Sequence, residues 1–114
     1  MNPPPTAFPE AAQITPVGSH EYKANIHPDF SFGNGGHGGF MVALCWRAVT
    51  EHFRTTLAKY TQPDTVTFHA EFLRPGVLGE ARLHVKDTRL GKGSSTVHVS
   101  LVQSGQEKVV AYAT

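Results

Sequence analysis

The stretch Phe32–Tyr60, FGNGGHGGFMVALCWRAVTEHFRTTLAKY, decides how this chain folds. Its glycines Gly33, Gly35, Gly36, Gly38 and Gly39 run directly into apolar residues at Phe40, Leu44, Trp46, Val49, Phe53, Leu57 and Tyr60. That spacing predicts an amphipathic helix of about 20 residues with a wide apolar face. Asn34 is the expected N-cap, and Pro63 stops the segment. A glycine inside a helix costs about 1 kcal/mol relative to alanine. The cluster therefore marks a close approach, either of a ligand to the backbone or of the helix to a sheet.

Upstream, Pro3, Pro4, Pro5, Pro9 and Pro16 make residues 1–16 an extended arm, set apart from a single domain over 17–114. Residues 17–26 read as a strand with His20, Tyr22, Ala24 and Ile26 on one side. Pro28 and Asp29 turn the chain over 27–32. Downstream the period changes to two. Residues 64–74 place Val66, Phe68, Ala70 and Phe72 on one face, with Thr65, Thr67, His69 and Glu71 on the other. Residues 79–89 alternate again through Ala81, Leu83 and Val85, a Leu90–Gly93 hairpin follows, and 96–103 carry Val97, Val99 and Leu101 on one face. A last strand over 108–114 reaches the chain end, so its edge is expected to be covered by a partner, or the chain to be half of something larger. One long helix followed by an antiparallel meander predicts an α+β domain, the helix covering the apolar face of the sheet.

Composition narrows the function classes. A chain of 114 residues suits one small core, and a net charge of +1 with mixed signs gives no electrostatic footprint for nucleic acid or an anionic membrane. There is no apolar run long enough to span a bilayer and no secretory leader, and the single cysteine suits a reducing compartment; the expectation is cytoplasmic.

Gly33–Gly38 matches G-x-G-x-x-G, but a dinucleotide site needs a parallel βαβ unit, and antiparallel hairpins follow here. Gly91-Lys92-Gly93-Ser94 lacks the P-loop spacing, and no G-x-S-x-G elbow is present. His20, His27, His37, His52, His69, His84 and His98 show neither H-x₃-H nor H-E-x-x-H spacing, so no metal site is expected. Cys45, between Leu44 and Trp46, reads as a small buried hydrophobe rather than a nucleophile. His37 stands at the helix start, where free N–H groups and the dipole favour negative charge and can bind the oxygen of a thioester or its oxyanion. Thr67 and His69 are expected to look toward the same cleft, and Gln103 offers an amide to hold a water. Each of these is also at home as an ordinary surface or sheet residue.

Three segments, NGGHGGFMVALCWRAV (34–49), TVTFHAEFLRPG (65–76) and VSLVQSGQEKVVAYAT (99–114), together resemble the acyl-CoA thioesterase II type and its fungal thioesterase-like relatives, of the hotdog fold. The resemblance covers roughly residues 18–114 and is with the first unit of what is usually a tandem pair. It implies a long central helix wrapped by an antiparallel sheet, and hydrolysis of acyl-CoA or related acyl thioesters between two hotdog units. Asn34 occupies the family's acidic position, Thr65 or Thr67 its hydroxyl position and Gln103 its glutamine, while His37 replaces a tyrosine or glutamine. Taken with His37, read from the helix start as the candidate base, the candidate catalytic set is His37, Asn34, Gln103 and Thr67, and Gly36, Gly38, Gly39, Phe40, Met41, His69 and Phe72 are expected around the substrate. No cofactor is implied beyond the CoA carried by the substrate, and the expected assembly is a homodimer or larger homo-oligomer. Two alternatives stand beside it: a non-catalytic acyl-binding or dimerisation module, and a dehydratase or cyclase acting on an acyl or polyketide intermediate.

Overall fold

The computed structural model of the chain describes residues 13–26, 31–32, 35–36, 38–62, 64 and 66–114. Its elements are β1 (Thr15–Pro16), β2 (Glu21–Ile26), β3 (Ser31–Phe32), β4 (Gly35–Gly36), α1 (Gly38–Arg54), a 3₁₀ turn (Ala58–Tyr60), β5 (Phe68–Phe72), β6 (Gly79–Arg89), β7 (Thr96–Gln103) and β8 (Gln106–Ala113).

α1 has 17 residues and is shorter than its apolar pattern predicts at both ends. At the front, Gly35–Gly36 pair antiparallel with Ser31–Phe32, so part of the glycine cluster belongs to a small ribbon. The helix then starts at Gly38, four residues beyond the expected N-cap Asn34, which itself lies outside the described residues. At the back, Thr55 and Thr56 interrupt the helix. The Leu57 N–H reaches back to the His52 carbonyl (2.9 Å), which keeps Leu57 buried although it is no longer helical.

One sheet of six strands runs in the order β1-β2-β6-β7-β8-β5, antiparallel throughout. The β6-β7-β8 meander follows from the two hairpin signals, the second closed by Ser104 and Gly105 at positive φ (51° and 72°). β5, next to β6 in the chain, pairs instead with β8 at the opposite edge. α1 lies across the inner face, mainly over β6 and β7. Leu44 and Ala48 pack there against Leu83, Val99 and Leu101, all essentially inaccessible.

That placement corrects the reading of residues 64–74. Phe68 and Ala70 pack against the core, but Val66 (81% exposed) and Phe72 (55% exposed) lie outside it: Val66 precedes β5, and the Phe72 ring, at its far end, lies against Gly38 at the helix start. Among the described residues no helix is long and apolar enough to cross a membrane.

Candidate functional site

At the N-terminal end of α1 a cleft of about 370 Å³ opens between the helix and the segment leaving β5, lined by Gly38, Met41, Phe72, Leu73, Arg74 and Pro75. Two glycines make this approach possible. A Cβ on Gly38 would lie 3.3 Å from Phe72 Cε1, and one on Gly76 would run into Met41 Sδ. The first-turn N–H groups of α1 have no intrahelical acceptors and carry the positive end of the helix dipole. The cleft therefore combines apolar walls with a place for a developing negative charge.

Several sequence-predicted residues gather here, and several do not. Gly38, Met41 and Phe72 line the cleft. Gly39 is exposed beside it, and Gly36 lies in the ribbon before the helix. Phe40 is only 1% exposed and belongs to the core: it faces the sheet rather than the cleft. His69 is on the outer face of β5, opposite Tyr112 and beside Glu71 (3.3 Å), because it alternates with the inward Phe68 and Ala70. Within one chain it does not look into the cleft. Thr67 pairs through its backbone with Thr114 at the other end of β5, about 16 Å along the strand from Phe72. His37, Asn34, Asp29 and Thr65 lie outside the described residues.

Gln103 has a different environment from the one its sequence position suggests. It is buried (4% exposed), and its amide is spent on backbone. The Val77 N–H donates to Oε1 (3.0 Å), while Nε2 donates to the carbonyls of Val77 (2.8 Å) and Glu80 (3.3 Å). Both Nε2 protons are thus committed, so Gln103 does not donate to a water; it clamps the turn that follows the cleft wall. Cys45 is fully buried, and burial pushes its thiol up to about 12, which leaves an inert packing group as its sequence context indicates.

A second polar group, which spacing rules missed, lies at the other end of α1. Asp87 accepts from His52 Nε2 through Oδ1 (2.7 Å) and from His20 Nε2 through Oδ2 (2.9 Å). Burial pushes the Asp87 carboxyl up, but the hydrogen bonds and charges of the two histidines outweigh it and hold the group below its ordinary value. His52 is completely buried, and its Nδ1 has no partner among the described residues. A signal for the cluster does exist in the sequence. Each member falls in the apolar phase of its own element: His20 with Tyr22 and Ala24, His52 with Leu44 and Ala48, Asp87 with Leu83 and Val85.

Comparison with known proteins matches residues 26–114 to the model of the acyl-CoA thioesterase N-terminal domain family. The thioesterase-like protein TwmA of Talaromyces wortmannii is 35% identical over 98 residues, which is 86% of this chain and 27% of TwmA. Among solved structures, a thioesterase II candidate of Thermobifida fusca YX superposes with a TM-score of 0.79 at 23% identity, over 93% of this chain and 37% of that one. A hotdog-fold protein of unknown function from Alicyclobacillus acidocaldarius gives 0.81 at 16% identity, over 96% of this chain and 39% of that one. The fold is the hotdog, and the chain spans well under half the length of these relatives.

Proposed function

The chain belongs to the acyl-CoA thioesterase N-terminal domain family, and on that premise we propose that it hydrolyses acyl-CoA or related acyl thioesters at the cleft where α1 begins. The observation that carries this reading is the meeting of an apolar cleft (Met41, Phe72, Leu73, Pro75) with the positive end of the α1 dipole at Gly38. The acyl chain lies against the apolar wall, and the thioester carbonyl points at the N–H groups around Gly36 to Gly39. Water attacks the carbonyl carbon while His37 takes its proton. The tetrahedral oxyanion is held by the backbone donors. Its collapse breaks the C–S bond, and the thiolate recovers the proton from His37. Carboxylic acid and thiol leave.

Met41 tests the acyl wall. Met41→Trp narrows the cleft, so thiol release measured across a series of acyl-CoA chain lengths is expected to shift toward shorter chains, with little change for the shortest. Equal losses at all lengths would place the acyl chain elsewhere.

The proposed assembly is at least a dimer, built on the outer edge of β5. Among the described residues that strand pairs only with β8, and Val66, Phe72 and Leu73 are exposed along it. An unpaired apolar edge is a template for another strand. Light scattering on the eluting protein is expected to give at least twice the chain mass at micromolar concentration. A stable monomer would contradict it.

A second reading is favoured by one observation, the commitment of Gln103 to Val77 and Glu80. With Asn34 unable to act as a base, the same cleft serves a non-catalytic acyl-binding module. Binding of acyl-CoA without thiol release would distinguish it.

A further inference from the structure

His20, His52 and Asp87 come from three separate elements: the bend before β2, the last turns of α1, and the end of β6. Polar groups at inward positions of all three converge on one point, where apolar residues would otherwise continue the core. The Asp87 carboxylate sits between the imidazoles, His20 and His52 ring centroids are 4.7 Å apart, and one donor atom from each residue lies within 4.8 Å of the others.

We propose that His20, His52 and Asp87 form a binding site for a divalent transition-metal ion of the zinc class, held by Nε2 of both histidines and the Asp87 carboxylate.

Two imidazole nitrogens and one carboxylate oxygen are the donor set such ions prefer, whereas calcium and magnesium select all-oxygen sites. Ligand atoms about 2.0–2.2 Å from a tetrahedral ion lie about 3.4 Å apart. The present N···O separations of 2.7 and 2.9 Å are those of hydrogen bonds, so the rings open by about half an ångström to admit the ion. In each neutral imidazole the proton moves, by exchange with solvent, from Nε2 to Nδ1, which frees the Nε2 lone pair for the metal. The side chain of His20 is 43% exposed, which supplies an entry path and leaves a coordination position facing water. Ser19 Oγ lies 2.7 Å from His20 Nδ1, ready to accept the proton that ring nitrogen carries once Nε2 is ligated. His52 is less well served, since its Nδ1 proton would face the core without an acceptor among the described residues. That cost sets the expected affinity in the micromolar range rather than the nanomolar. His52 is fourteen residues from Gly38, about 21 Å along the helix axis, so the site is separate from the cleft and does not rest on the thioesterase reading.

The test is titration of the full chain with Co²⁺ and with Zn²⁺, followed by calorimetry, by the visible d–d absorption of Co²⁺ and by thermal melting. The expected result is one ion per chain with a micromolar Kd, a tetrahedral-type cobalt spectrum displaced by Zn²⁺, and a melting temperature raised by several degrees in saturating Zn²⁺. His20→Gln, at a half-exposed position, is expected to weaken binding at least tenfold while preserving the metal-free melting temperature. His69→Gln and His98→Gln, on the outer face of the sheet, are expected to bind as wild type. No cobalt spectrum at millimolar metal, or binding unchanged by His20→Gln, would overturn the proposal.

Discussion

Gln103→Ala is expected to lower folding stability by about 2–4 kcal/mol, read as a lower urea midpoint with an unchanged m-value. The buried Gln103 side chain makes three part-buried hydrogen bonds to the backbone of Val77 and Glu80. Truncation leaves one N–H and two carbonyls without those partners, and each net hydrogen bond is worth about 1 kcal/mol, more where the orphan stays dry. For a domain of this size, a loss of that order lowers the melting temperature by roughly 10–20 °C. The same turn follows Gly76, whose Cα packs against Met41, so the cleft wall loosens and turnover falls as well. A water-orienting glutamine would behave differently, losing turnover at unchanged stability. Chemical denaturation and kinetics on one variant therefore separate the two roles.

His37→Ala is expected to lower the turnover number about 100-fold or more, the usual worth of general acid–base catalysis, with the circular dichroism spectrum unchanged. Asn34 has no titratable group, which leaves the histidine as the base in this part of the chain. Because the base acts in the transition state, the loss is expected in kcat, with KM for acyl-CoA nearly unaltered. Full activity in His37→Ala would send the search to another base, with Asp29 and Glu71 the next carboxylates to replace.

The helix and the meander were legible because their periods differ, 3.6 against 2, and because the turns at Leu90–Gly93 and Ser104–Gln106 punctuate the strands. The bounds of β6 and β7 match the alternation residue for residue. What the pattern did not carry was lateral order. Alternation says which face of β5 is apolar, yet nothing local says that β5 pairs with β8 rather than β6. Without that edge position, the alternation alone does not show that Phe72 is half exposed. The helix start was misplaced for a related reason. Glycines at Gly35 and Gly36 satisfy a tight ribbon as readily as a helix entry, and only the pairing with Ser31–Phe32 distinguishes them.

The site was legible in part. A glycine-rich helix start next to Phe72 and Pro75 pointed to the cleft, because small residues are where another chain segment can come close. Gln103 was found as a residue but not as a contact: its sequence position cannot show that Val77 and Glu80 consume its amide. His20, His52 and Asp87 escaped because metal-site rules look for histidines close in sequence, whereas these partners are 35 and 67 residues apart. Phase within each element, rather than spacing between them, was the usable signal.

The central claim is that the cleft at the start of α1 breaks thioesters rather than merely holding them. The most direct measurement is thiol release by the wild-type chain from a panel of acyl-CoA thioesters, followed with a chromogenic disulfide alongside calorimetric binding of the same compounds. The account predicts many turnovers per chain, one CoA thiol for each thioester consumed, with a preference among chain lengths that Met41→Trp shortens. Acyl-CoA that binds saturably yet releases no thiol above the uncatalysed rate would contradict it.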